Sequence, residues 1–190
     1  MPTHQKTTIK TIARRPVDCS NGMIDAFIKM VLDGGEVPYE NLKNGVPRAE
    51  LLFYTIDGET LMGVGAIRYQ QKAFHKFLFE QAGVPEMFNP DSVETCWIYV
   101  APEHRGKGVY QNQMEYRMKY LKNRPAHSLQ RGSNKAIFAA TGSKDIVRQV
   151  GQEFTLPKED HKIRLMVQNH DLVYDPDKQF WYGHKAEVRG

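Results

Sequence analysis

The sequence predicts an α+β fold in one domain: a mixed, mostly antiparallel central sheet of six to seven strands flanked by helices. Three observations carry that prediction. Two β-rich runs meet at Asp57-Gly58, a hairpin signature. A β-favouring run, Thr95 to Val100, enters a glycine-rich basic loop, and a helix-patterned run leaves it. Along the chain, hairpins alternate with β-α-β passages, which calls for a mixed sheet with helices on its faces. At 190 residues the chain is long enough for one proper core and short for two.

Taken in order, Thr7 to Ala13 reads as the first strand and stops before Pro16. Ser20 or Asn21 caps a helix whose Met23, Ile24, Phe27, Ile28 and Val31 share one face, and Gly34-Gly35 ends it. Residues Glu36 to Pro47 are polar and broken, with a short helical turn near Tyr39. Glu50 to Ile56 and Glu59 to Tyr69 form the hairpin, with Asp57-Gly58 as a type I′ turn. Lys72 to Gln81 places Ala73, Phe74, Phe77 and Leu78 at helical spacing, stopped by Gly83 and Pro85. Val93 to Val100 is the strand before the glycine loop. The next helix runs from about Val109 to Lys122 on a stripe of Tyr110, Met114, Met118 and Leu121, and Pro125 ends it. Ala136 to Thr141 reads as a short strand and Lys144 to Val150 as a helix capped by Ser143. Two β-type runs follow, Lys162 to Gln168 and Gln179 to Lys185.

The composition, 41% hydrophobic and 25% charged, is that of an ordinary soluble protein. A formal charge of +4, spread along the chain, reads as a solvated surface ahead of a nucleic-acid footprint. The two cysteines, Cys19 and Cys96, lie far apart, which excludes a disulfide framework and favours a reducing compartment. Cys96 is read as a small buried thiol in a strand. The seven histidines form no helical pair with a carboxylate partner, so no metal site is expected. No apolar run reaches membrane-spanning length and no signal core opens the chain, so a cytoplasmic protein is expected.

The stretch Val100-Ala101-Pro102-Glu103-His104-Arg105-Gly106-Lys107-Gly108-Val109 carries the chemistry. A strand-loop-helix junction of this kind aims several backbone N–H groups at one place, backed by the positive end of the helix dipole, and makes a cradle for pyrophosphate. On the loop alone, a tight surface turn with solvated basic residues stays open as the alternative. It lacks the Gly-Lys-Ser/Thr ending of a Walker loop and the three-glycine dinucleotide fingerprint.

With Val100, Pro102, Glu103, Arg105, Gly106 and Gly108 at their spacings, the loop resembles the Val-x-Pro-Glu-x-Arg-Gly-x-Gly motif of the GCN5-related N-acetyltransferases. The hairpin and the closing strands match that family's element order. The resemblance implies acetyl-CoA as acyl donor, with no metal, and an amine acceptor: a protein, an aminoacyl-tRNA or a small molecule. Backbone N–H groups of Arg105, Gly106, Lys107, Gly108, Val109 and Tyr110 would hold the pyrophosphate. The backbone of Ile98, Tyr99 and Val100 would pair with the pantetheine arm. Tyr110 stands where the family usually has glycine or alanine, and Val147 where many relatives carry a tyrosine acid.

For the base that takes the amine proton, Glu94 is the candidate. Flanked by Val93, Cys96 and Trp97, it is expected to be partly desolvated with a raised pKa; the alternative is an exposed glutamate opening a strand. His104 is a minor candidate for a proton relay, and Tyr174 and Tyr182 are stand-ins for the missing acid. Trp97 and Tyr99 alternate with Cys96, Ile98 and Val100, so one set faces the core and the other a helix or a substrate cleft. The helical insertion, residues 70–92, carries Phe74, His75, Phe77 and Phe79 and is either a wall of the acceptor site or a packing decoration. A monomer or small homo-oligomer is expected. A catalytically inactive binding module, and behind it a basic nucleic-acid-binding domain, are the rival readings.

Overall fold

In the computed structural model, residues 8–69, 71–131 and 147–170 are described. The expected strand at 136–141, the first residues of the expected helix at 144–150, the run at 179–185, Tyr174 and Tyr182 lie outside them. The seven described strands make one sheet in the order β1-β2-β3-β4-β5-β7-β6: β1 (Lys10–Arg14), β2 (Ala49–Asp57), β3 (Thr60–Arg68), β4 (Val93–Val100), β5 (Ala126–Arg131), β6 (Arg148–Phe154) and β7 (Ile163–Gln168). Four helices accompany them: α1 (Asn21–Asp33), α2 (Tyr39–Gly45), α3 (Lys72–Gln81) and α4 (Val109–Leu121). β4 and β5 run parallel, and β1–β2, β5–β7 and β6–β7 are antiparallel, so the sheet is mixed as expected.

The described residues fall into two compact units. One holds residues 8–67 and Trp97–Tyr120; the other holds Arg68–Cys96 and the rest from Leu121 on. In the first, Ser20 Oγ accepts the Met23 N–H at 3.2 Å and starts α1. Of the expected stripe only Phe27 and Val31 are fully buried. The hairpin is present, but its two-residue loop is Gly58-Glu59. Only Gly58 has a positive φ, 59°, which is the type II′ pattern and not the expected type I′. One left-handed residue suffices because Asp57 stays in the strand.

α4 also departs from expectation. Its buried face is Val109, Gln113, Met114, Arg117, Tyr120 and Leu121, whereas Tyr110 and Met118 are half-buried. The stripe was hidden because half of it is polar. The Tyr120 hydroxyl donates to Glu50 at 2.6 Å, and the Gln113 amide reaches Thr55 Oγ1 at 3.5 Å, so polar side chains tie this helix to β2.

In the second unit the insertion is a core element. Leu78 and Phe79 of α3 are fully buried with Val150 and Phe154 of β6 and Ile163, Leu165 and Val167 of β7; Phe74 and Phe77 pack around them. That supports a packing role over a wall of the acceptor site. The Gln152 N–H donates to the Ala82 carbonyl at 2.8 Å, and a Cβ on Gly151 would stand 2.1 Å from that oxygen. Only glycine, at φ 64°, permits this approach, and here the β6–β7 register shifts. The expected helix at 144–150 is therefore corrected where it is described: Arg148–Phe154 is a strand. β5 was not anticipated, since Ala126–Arg131 contains no β-branched residue; its neighbours β4 and β7 impose the extended form. Cys96 is half-buried, not fully buried as expected.

Candidate functional site

The glycine loop belongs to the first unit. β4 ends at Val100, and the Ala101 N–H donates to the Met62 carbonyl of β3 at 3.0 Å. Pro102–His104 makes one 3₁₀ turn, closed by His104 N–H to Ala101 O at 2.9 Å and Arg105 N–H to Pro102 O at 3.2 Å. The amide of Arg105 is therefore spent inside the turn, a correction to its expected place in the cradle. Gly106 and Gly108 follow with φ of 75° and 79°, the left-handed region that favours glycine. A Cβ on either would meet nothing within 4 Å, so the backbone conformation and not crowding demands glycine there.

Asn112 N–H to Gly108 O, at 2.9 Å, is the first helical bond of α4. Before it, the N–H groups of Gly106, Lys107, Gly108, Val109, Tyr110 and Gln111 have no hydrogen-bond acceptor among the described residues. Six donors without an acceptor among the described residues, two of them on left-handed glycines, stand at the start of a 13-residue helix, an arrangement of the kind that favours an anion. The donor set fits a pyrophosphate. Tyr110 does not lie across it: its ring packs along the flank of α4, with the Arg117 guanidinium 5.8 Å from the ring centre. Arg105 folds back over β4, its Nε donating to Val100 O at 3.1 Å and its guanidinium 5.7 Å from the Tyr99 ring. Lys107 is exposed. His104 sits in the 3₁₀ turn with Nδ1 buried and without a partner.

β4 itself changes character along its length. Val93 to Thr95 are buried, and Cys96 to Val100, including Ile98, Tyr99 and Val100, are half-buried. Trp97 has a φ of 52°. That break in the strand turns Trp97 and Tyr99 toward α2 and α1, where their rings rest on Gly45 and Gly34. Ile98 and Val100 face Gly65 and Gly63 of β3.

Glu94 lies in the second unit, and its environment overturns the expected raised pKa. It is 3% exposed, ion-paired to Arg68 Nε, and 2.8 Å from His75 Nε2. The Gln71 N–H donates to His75 Nδ1 at 3.1 Å, which leaves the ring proton on Nε2, directed at Glu94. Burial alone would raise the carboxyl, but the His75 hydrogen bond and the Arg68 charge outweigh it and hold Glu94 at about 2. A carboxylate this acidic, with Arg68 and His75 on one oxygen, is a poor acceptor for an ammonium proton. Its visible task is to anchor α3 and the end of β3.

His127 of β5 stands opposite Glu94 in register. Its Nδ1 is 2.8 Å from Ser92 Oγ, its ring centre 4.4 Å from that of His75, and its Nε2 is buried without a partner. Burial, first, holds it at about 3, so it is neutral. Ser92 Oγ also lies 3.3 Å from His170 Nε2. His75, Glu94 and His127 bring possible metal-ligand atoms within 4.8 Å of one another. The donor chemistry does not fit a dication: His75 Nε2 holds a proton, and a guanidinium already occupies Glu94. Sequence reasoning named His75 only as part of the helical insertion and missed Arg68, Ser92 and His127; no spacing signal links the four to Glu94. Val147 precedes β6 and carries no hydroxyl.

No family model matches the chain, and no curated protein matches it. Solved structures do. An acyl-CoA N-acyltransferase from Pseudomonas aeruginosa superposes with a TM-score of 0.61 at 10% identity, covering 85% of this chain and 99% of that one. An N-acyl amino acid synthase from uncultured soil microbes gives 0.58 at 12%, covering 87% and 93%. A GNAT-family acetyltransferase from Bacillus cereus gives 0.54 at 12%, covering 83% and 96%. The seven-stranded mixed sheet with its flanking helices is the fold of the GCN5-related N-acetyltransferases.

Proposed function

We propose that the protein is an N-acyltransferase that moves the acetyl group of acetyl-CoA to an amine acceptor. One observation carries the reading: six successive amides, from Gly106 to Gln111, have no acceptor among the described residues, and two of them belong to left-handed glycines just before α4. Such a cradle suits the pyrophosphate of the donor, which supplies an activated acyl thioester. Gly106 to Tyr110 would hold it, and the half-buried backbone of Ile98, Tyr99 and Val100 would take the pantetheine arm as a neighbouring strand. The structural neighbours named for acyl transfer support this reading at the level of fold.

Acetyl transfer needs a neutral amine. With Glu94 held as an anion by Arg68 and His75, that carboxylate does not take the proton; for an acceptor that arrives neutral or loses its proton to solvent, the rate should follow the acceptor's own pKa. Binding and orientation are then the chain's main contributions. The engagement of Glu94 also favours a second reading, a binding module on the same fold without catalysis.

Calorimetric titration with acetyl-CoA and CoA, followed by an assay of CoA release, separates the two. Binding with turnover supports the transferase; binding without turnover on any amine supports the module. A folded protein that binds neither ligand would sink the cradle assignment.

A further inference from the structure

We infer that Gly63 of β3 is a positioning residue for the donor. Its missing side chain sets the spacing between the end of β4, where the pantetheine arm would pair, and the first turn of α4, where the pyrophosphate would sit. The inference rests on the acyl-transfer reading and deepens it by assigning a residue that belongs to neither part.

β3 carries Gly63 and Gly65 in its interior. Glycine there contributes no side chain to packing and loses more freedom on folding than any other residue. Both glycines are buried, and neither lies in the left-handed region, so backbone conformation does not require them. Gly106 and Gly108 are the reverse case, required by conformation and surrounded by open space. A strand glycine of the first kind marks the close approach of another backbone.

At Gly63 the approaching groups can be named. A Cβ there would stand 2.9 Å from the Tyr99 carbonyl oxygen, 3.1 Å from Val109 Cγ1 and 3.3 Å from Val100 Cγ2. Val100 ends β4 and Val109 begins α4, so the two residues that bracket the glycine loop meet on one Cα. The adjoining Met62 carbonyl accepts the Ala101 N–H at 3.0 Å, which ties the first residue of the loop to the same stretch of β3. Val109 is fully buried.

Gly65 lies two residues on, facing the same way, and differs in kind. A Cβ there would meet Gln113 Oε1 at 2.9 Å and Ile98 Cγ1 at 3.4 Å, both side-chain atoms that can turn aside. At Gly63 the nearest atom is a backbone oxygen in a packed interior, so a methyl group must displace the Tyr99 peptide, and Val109 with it. A ligand held only by the cradle amides can follow α4 as it shifts. A ligand that also pairs with β4 cannot, because its own length is fixed.

The test titrates the purified protein calorimetrically with acetyl-CoA and with ADP, which carries a pyrophosphate and no arm. Gly63→Ala should weaken acetyl-CoA binding about tenfold or more and ADP binding by less than about threefold; Gly65→Ala should stay within about threefold for both. Equal losses for the two ligands would show that Gly63 serves only the fold or the cradle, and would overturn the inference. So would unchanged acetyl-CoA affinity, or a Gly65→Ala variant that matches Gly63→Ala. Val109→Ala removes the methyl groups seated on Gly63 and reads the same contact from α4. It should weaken acetyl-CoA about threefold or more, with a smaller effect on ADP, and it decides the matter if Gly63→Ala does not fold. Wild-type protein that binds acetyl-CoA but not ADP would contradict the division of the donor site into two parts, and this inference with it. Wild-type protein that binds neither ligand would defeat the underlying reading.

Discussion

The glycine loop and the cluster around Glu94 are opposite ways of handling polar groups. From Gly106 to Gln111, successive amides have no acceptor among the described residues, the first three on an exposed loop and the next three at the start of α4. Around Glu94, a carboxylate buried away from solvent is held by an arginine and a histidine, and the histidine's far nitrogen is held by a backbone N–H. Unpaired donors near solvent are inexpensive and leave capacity for a ligand. A buried charge is tolerable only when its partners are fixed, which leaves little capacity for chemistry. The acidic residue that looks catalytic in the sequence is thus locked in a structural ion pair, and the plain run of glycine and lysine is the proposed binding feature.

The largest effect that tests this contrast is expected at the loop. Gly108→Val puts a β-branched residue at φ 79° and should weaken acetyl-CoA affinity by about a hundredfold or more, read by calorimetry on protein that is still folded, with the thermal midpoint lowered by several degrees through about 1–3 kcal/mol of backbone strain. Unchanged affinity would mean that the amides are not the cradle.

Arg68→Met makes the converse test. Removing the guanidinium leaves Glu94 charged and buried, so denaturant unfolding should show a loss of about 3–5 kcal/mol. A loss well below that would show that the ion pair is not what holds the carboxylate.

The pH dependence of stability is expected to be the next largest effect. Glu94 falls from an ordinary 4.5 to about 2 in the fold, so its contribution is complete above about pH 4.5 and is lost as pH drops toward 2. His127 falls from 6.5 to about 3, so between those values the unfolded chain binds the extra proton and stability declines as pH falls. Unfolding measured from pH 7 to pH 3 should lose stability throughout. His127→Gln should flatten the portion above pH 4.5, and an unaltered slope would assign it to other groups. The smallest effect is expected for Tyr110→Ala. With its ring along α4 under Arg117, acetyl-CoA affinity should change by less than about threefold, well under 1 kcal/mol. A large gain would show that the ring does crowd the cradle.

The sequence by itself determined whatever depends on neighbours along the chain. Asp57-Gly58 marked the hairpin, and the aromatic spacing in Lys72–Gln81 marked α3 to its ends. The loop from Val100 to Val109 announced a strand, a left-handed turn and a helix, because glycine conformation and helix starts are local properties. Only the tertiary structure decided the rest. β5 has no strand composition of its own and is extended because strands on both sides pair with it. The buried stripe of α4 is half polar, so periodicity misplaced it; Glu50 and Thr55, far away in sequence, provide the partners that make it buriable. Glu94 turned from candidate base to locked anion through Arg68 and His75, residues brought to it by separate elements. A pKa is set by what surrounds a group in space, and distance along the chain carries almost no information about that.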